Sequence, residues 1–391
     1  MHGGGVFLSA ANETEIEYKT QTLAEWCGAH NQPYTSIEPG GGMVQRFGVG
    51  QKFLDVTSPP VFLGRLSDSL ILPVSTFSCT PDHTLIHAGL THRDYALASD
   101  IGPFLIEDLA ENKFLLRIPN NMPTVDQECI FLGGRANFGH FLFESLMRWA
   151  IGSQIPNSDS LPVAIYDGLP ARFYEFLDLA GIPKTRRILL DPAVPTRFRR
   201  LWRASSPLYR SADKDPLWWP EGVRFINREV RSRALSNDSP PNTTPRPILY
   251  VARGAENWRR ILNEADVIEC VRRYGGTPVS FDGLPAKEQV QMVGNARAMI
   301  LPVGAAAAVS LFAPMDCAVL ELVPPTIGAL FGPVAYATCL GQPYVRLLCP
   351  SATPADVAAA GLKIHSIERI DTDYWVDCNK LEAVLKTVPP G

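Results

Sequence analysis

The 391-residue chain is short of the signatures that would settle its chemistry at once. Gly-x-Gly-x-x-Gly does not occur, nor does Gly-x-x-x-x-Gly-Lys-Ser/Thr, which argues against a standard dinucleotide dehydrogenase and a P-loop NTPase. No Gly-x-Ser-x-Gly is present, so the nucleophile elbow of the common serine hydrolases is missing. The eight cysteines form no Cys-x-x-Cys pair and show no His/Cys spacing suited to zinc. Five of them sit in apolar surroundings typical of buried free thiols, which points to a reducing compartment and hence to the cytoplasm. Charge of one sign is also lacking: Lys+Arg 36 against Asp+Glu 40 gives a net charge of −4, with no footprint for nucleic acid. The opening Met-His-Gly-Gly-Gly-Val-Phe-Leu has no basic n-region, so no secretory leader is expected. The longest uncharged stretch, Ala298 to Met315, is interrupted by Pro302, Gly304 and Pro314. A spanning helix needs ~20 mostly apolar residues, so this stretch reads as strand, turn and helix, and membrane association is expected to be peripheral at most.

What is present is an ordinary globular composition, 46% hydrophobic and 19% charged, with a high load of Gly 30 and Pro 34. Length alone implies two domains. Ser236 to Pro247 holds four prolines among small polar residues, which can neither continue a helix nor fill a central strand. We therefore expect an α/β unit over residues 1–236 with a strand-rich start, and a Rossmann-like unit over 246–350. A segment over 351–391 should return to the first unit through the stripe Leu381, Val384, Leu385. In the second unit short apolar strands at 248–252, 277–281, 298–301, 318–323 and 344–348 alternate with helical patterns, the mark of a parallel, doubly wound sheet. In the first, a strand near Cys129, a helix from Phe138 to Ile151 and strands at 163–166 and 187–190 continue the rhythm.

Three stretches carry side chains suited to chemistry at the carboxyl ends of such strands, where ligands bind. Gly133-Gly134-Arg135-Ala136-Asn137-Phe138-Gly139-His140 leads from a strand into a helix, and puts Asn137 near its N-cap and His140 in its first turn. Glu144 and Arg148 follow at four-residue steps on the same face, so an imidazole and a carboxylate meet. A surface helix start with a capping His would show the same pattern. Arg253, Arg259 and Arg260, ahead of Asn263-Glu264, follow the first strand of the second unit and suit a diphosphate. The alternative is a solvated loop pairing with Glu256 and Glu264. Gly304 and Ala305 open a small-residue helix whose amides would favour an anion, or else a tightly packed core helix. Glu321 ends the next strand, where it would meet ribose hydroxyls or cap a neighbouring helix. Trp218 and Trp219 would stack on a sugar or staple the helix that follows.

Taken in order, these stretches resemble glycosyltransferase family 61. The matching segments are Asn137-Phe-Gly-His140-Phe-Leu-Phe-Glu144, then Arg253 with Arg259-Arg260-Ile-Leu-Asn263-Glu264, then Pro285-Ala-Lys-Glu288-Gln289-Val-Gln-Met, Gly304-Ala305 and Val319-Leu-Glu321-Leu. The resemblance runs from about Leu70 to Val345 and is densest from Tyr250 to Pro325. It implies an α/β, GT-B-like architecture, two Rossmann-like domains facing a cleft, the first on the acceptor side and the second holding the nucleotide sugar. It further implies inverting transfer from a nucleotide sugar, typically a UDP-sugar, to a glycan or glycolipid hydroxyl, as in surface polysaccharide synthesis. On that reading His140 is the base and Glu144 orients it. Arg253, Arg259, Arg260, Asn263, Gly304, Ala305 and Glu321 hold the donor, Asn137, Trp218 and Trp219 touch the acceptor, and no metal or other cofactor is required. The family pattern has His where this chain has Val303, and Gly where it has Ala306. Those departures keep open a non-catalytic sugar-nucleotide-binding protein, and a GT-B-like nucleotide-sugar epimerase is a second enzyme reading.

Overall fold

The computed structural model describes residues 13–37, 41–46, 53–57, 61–73, 77–87, 104–109, 113–205, 208–211, 214–235, 245–253, 259–327, 333–364 and 372–388. Two sheets dominate. In the first, parallel strands lie in the order Arg187–Leu190, Val163–Tyr166, Cys129–Gly133, Thr196–Ala204, with Ile130 opposite Val163 and Cys129 opposite Leu201. Val61–Ile71 then pairs antiparallel to Thr196–Ala204 and carries the sheet on into the strand-rich N-terminal region. The second sheet runs Gly276–Val279, Ile248–Val251, Ala298–Pro302, Ala318–Val323, Pro343–Leu348, all parallel. Its central strands Ala298–Pro302 and Ala318–Val323 are buried along their whole length, because helices cover both faces.

The expected units are not cleanly split along the chain. Gly41–Arg46 pairs parallel with Pro343–Leu348, and Phe53–Thr57 pairs with Gly41–Arg46, so a hairpin from the N-terminal region extends the second sheet. The expected return of the C-terminal segment to the first unit is corrected by the structure. Leu381 and Leu385 pack with Val267, Cys270 and Val271 in the second unit, because the helix Cys378–Leu385 lies on the helix Glu264–Arg273. Nor do the units merely face one another. One apolar core runs from Ile130, Phe138 and Phe176 of the first through Val223 and Ile226 to Met299, Leu311 and Phe312 of the second. The helix Pro220–Ala234 is the bridge, its Asn227 amide donating to the Leu311 and Ala313 carbonyls at 2.7 and 3.0 Å. Glu175 of the first unit accepts the Ala286 backbone N–H of the second at 2.6 Å and so caps the helix Ala286–Gly294.

All eight cysteines are free thiols, seven of them buried. Among the described residues, no helix is long and apolar enough to cross a membrane.

Candidate active site

The first stretch is built by a turn and a distorted helix. Gly133 ends its strand at φ 74°, a left-handed conformation that glycine adopts without strain. The chain then reaches Asn137, whose Oδ1 accepts the His140 N–H at 3.1 Å and starts the helix at Phe138. From Phe141 to Leu146 the helix widens into a π turn, a feature found disproportionately at functional sites, before it closes again over Met147–Gly152. The outcome is a row of three side chains. His140 Nδ1 lies 2.7 Å from Glu144 Oε1, and Glu144 Oε2 lies 3.9 Å from Arg148 Nη2.

Burial by itself would raise the Glu144 pKa. The His140 hydrogen bond and the nearby Arg148 and Arg135 charges outweigh it and hold the carboxyl down at about 2. Near neutral pH this carboxylate has no proton to give, so the Nδ1 atom must supply the hydrogen of the 2.7 Å contact. In the neutral ring Nε2 is then an acceptor, on an imidazole whose side chain is 42% exposed. An oriented, half-exposed base is the chemistry this row supports.

The second and third stretches meet at Gly304. Arg253 follows the strand Ile248–Val251, and its backbone N–H donates to Glu264 Oε1 at 2.6 Å, an oxygen that also accepts the Tyr250 hydroxyl at 2.8 Å. This clamp fixes the chain where the guanidinium comes to rest against Gly304. A Cβ at that position would stand 2.1 Å from Arg253 Nη1, so any larger residue would displace the guanidinium from this place. Gly304 in turn opens a 3₁₀ helix, Ala305–Phe312, and the short helix Phe138–His140 of the first unit packs against it. Three stretches, the first more than a hundred residues from the other two in sequence, are thereby brought together at the carboxyl ends of strands from both sheets.

Residues 138–320 match the model of the Glycosyltransferase 61 family. The chain carries a glycosyltransferase 61 domain. Comparison with curated proteins returned no match. The matched region begins at the helix of His140 and ends at Leu320 in the strand Ala318–Val323, so it reaches into all three stretches.

Several residues expected to hold the donor are occupied elsewhere in this glycosyltransferase. Arg260 is one: its Nε and Nη2 donate to Asp373 Oδ2 at 3.1 and 2.6 Å, and Nη2 also to the Lys363 carbonyl at 2.8 Å. The Nε–Nη2 edge of the fork is thus closed on a buried carboxylate and a backbone carbonyl. Asn263 exchanges two hydrogen bonds with the Val376 backbone, at 2.9 and 3.0 Å, and thereby pins the C-terminal segment. Glu321 is only 1% exposed and is held by the Tyr344 hydroxyl and by Arg346 Nε at 3.1 Å, so it faces neighbouring strands instead of a ribose. Trp219 is 5% exposed and its ring presses on Gly222 of the helix that follows, so it is not open to an acceptor. Trp218 ends the strand Lys214–Trp218 and its side chain lies outside the described residues, as do Gly254 to Trp258. Arg259 remains a candidate: it is half-buried at φ 55°, a conformation costing a non-glycine residue about 1 kcal/mol or more and found preferentially at functional sites.

Sequence reasoning missed the setting of Arg148. Its guanidinium is buried and donates from Nη1 to the Leu132 carbonyl at 3.0 Å, and behind it lies a second buried arginine, Arg203, 4.8 Å from the centre of the Phe131 ring. Burial, together with the Arg148 charge, pulls the Arg203 pKa down to about 9. The only signal for Arg203 was its place in the arginine-rich alternation of Thr196–Ala204.

Two Asp-x-Asp triplets occur, Asp213-Lys-Asp215 and Asp371-Thr-Asp373, and the second has Asp373 engaged by Arg260. Among the described residues, no group of three His, Cys, Asp or Glu is placed to hold a metal ion.

Proposed function

We propose that this glycosyltransferase moves a sugar from a nucleotide sugar, a UDP-sugar, to a hydroxyl of a glycan or glycolipid, with inversion and in one displacement. Its two α/β units act as a GT-B pair, the first presenting the acceptor and the second the donor. His140 Nε2 takes the acceptor proton, and the Glu144 carboxylate fixes the tautomer and stabilises the imidazolium that forms. Arg253 and the amides opening the helix at Gly304 and Ala305 carry the charge that develops on the leaving diphosphate, with Arg259 the further candidate. These groups do the work without a metal. The setting is cytoplasmic, in surface polysaccharide synthesis, with at most peripheral contact with a membrane.

One observation carries this reading: the helix start holding His140 packs on the helix that Gly304 opens, and Arg253 lies against Gly304. The test is turnover of a panel of UDP-sugars with glycan acceptors in the presence of EDTA. His140→Ala should lower turnover by about 10²–10⁴-fold while the UDP affinity measured by calorimetry stays within about twofold. Near-normal turnover rejects His140 as base. UDP binding without transfer or donor hydrolysis across the panel returns the protein to the binding-only reading, and acceptor-independent conversion of the donor sugar to the epimerase.

A further inference from the structure

Arg148 is a costly residue to keep. It is 6% exposed, its Nε has no hydrogen-bond partner, and Arg203 brings a second buried positive charge toward it. Buried guanidinium groups are stabilising only when geometry and hydrogen bonding are excellent, and a hydrocarbon of similar volume is often as good or better. Among the described residues Arg148 makes one full hydrogen bond, to Leu132 O, and one ion pair, the 3.9 Å contact with Glu144 Oε2. What the arrangement achieves is placement. The guanidinium is anchored at the end of the strand Cys129–Gly133, and from there it faces the one oxygen of Glu144 that His140 does not use.

We propose that Arg148 is a positioning residue of the transfer reaction: it holds Glu144 Oε2 so that Oε1 meets His140 Nδ1 and leaves Nε2 to the acceptor hydroxyl. The π turn Phe141–Leu146 lies between His140 and Arg148, and lets both neighbours four residues away converge on one carboxylate. The inference rests on His140 being the base, and its test separates the two claims.

The charged and titratable groups around the row are His140, Glu144 and Arg148 on the helix, Arg135 on the glycine-rich turn, Tyr166 on the strand Val163–Tyr166 and Arg203 on the strand Thr196–Ala204. Arg148→Lys keeps the charge but loses the fork, so kcat should fall by about tenfold.

The experiment measures kcat and the donor KM separately for the wild type, Arg148→Met, Arg148→Lys and Glu144→Gln, together with the double variant of Arg148→Met and Glu144→Gln. Arg148→Met should lower kcat by about 10–100-fold with the donor KM within about twofold, and that loss should largely disappear in the Glu144→Gln background. A loss that appears in the donor KM instead of kcat, or kcat losses that simply multiply in the double variant, would overturn the positioning role. If Arg148→Met does not fold, Arg148→Lys carries the decision, since wild-type kcat in that variant is also incompatible with the proposal. Near-normal turnover by His140→Ala would instead strike at the base assignment and leave the Arg148 data to stand as a purely structural effect.

Discussion

The row from Asn137 to Arg148 and the basic stretch from Arg253 to Glu264 carry similar inventories of polar side chains, yet the fold uses them differently. In the first, His140, Glu144 and Arg148 find one another at four-residue steps along one helix, and the half-exposed imidazole is left facing outward. In the second, the partners come from far along the chain. Arg260 is claimed by Asp373 and Asn263 by Val376, each 113 residues away, while Arg253 is brought to Gly304. Charges spaced on a helix select local partners, and their arrangement follows from periodicity. Charges on a loop are distributed by tertiary contacts, and spacing says nothing about which of them will face a ligand.

That contrast can be broken most directly at Arg260. Replacing it by Met leaves Asp373 buried without its partner, and should cost about 3–5 kcal/mol of stability in thermal or urea unfolding with UDP affinity in the folded fraction unchanged. A loss of affinity without a loss of stability would restore Arg260 to the donor site. A smaller effect separates the acid behaviour of the row. The Glu144 carboxyl is depressed to about 2 in the folded protein against 4.5 as its ordinary value. Its contribution is fully present above the unfolded value and is lost as pH falls through the folded one, about 2–3 kcal/mol between pH ~5 and ~2. Glu144→Gln should flatten that part of the stability–pH curve, and an unchanged slope would show the row to be open to solvent. Smaller still is the effect at Arg253. Arg253→Met should weaken UDP binding by about 10–100-fold, equivalent to about 1.4–2.7 kcal/mol, with little change in melting temperature. Gly304→Ala should do the same by displacing the guanidinium, and normal UDP affinity in both variants would remove this corner from the donor site.

The same contrast governs how much of the architecture could be read in advance. The strands of the second sheet were legible because burial on both faces makes them continuous apolar runs, and Ala318–Val323 begins and ends where its residues announce it. Thr196–Ala204 was not, although it joins the two halves of the first sheet. Four arginines in nine residues hide its alternation, and their neighbours are far away: Arg199 meets Asp68 at 2.6 Å, Arg200 approaches Glu128 at 3.7 Å and Arg203 covers Phe131. Glu13–Thr22 is masked in the same way. Its charged side chains are matched across the ladder by Arg117 and Lys113, a pairing visible only once the strand Lys113–Pro119 lies beside it. In the site, the imidazole–carboxylate pair was legible as local geometry. The occupation of Glu321 by Tyr344 and Arg346 was not, because it depends on the register of two adjacent strands.

The helix Pro220–Ala234 has a practical consequence for anyone who recombines such enzymes. By sequence it precedes the proline-rich stretch, yet Val223, Ile226 and Val230 belong to the interior shared with the second sheet. A chimera joined inside that stretch would pair this helix with a foreign receiving surface and leave a hydrophobic seam mismatched. A junction ahead of Pro220 would only move the seam, since the helix packs on Met147–Gly152 and Ala171–Leu179 of the first unit as well. Splitting the chain into separately expressed fragments would meet the same obstacle, since neither piece would close its own interior.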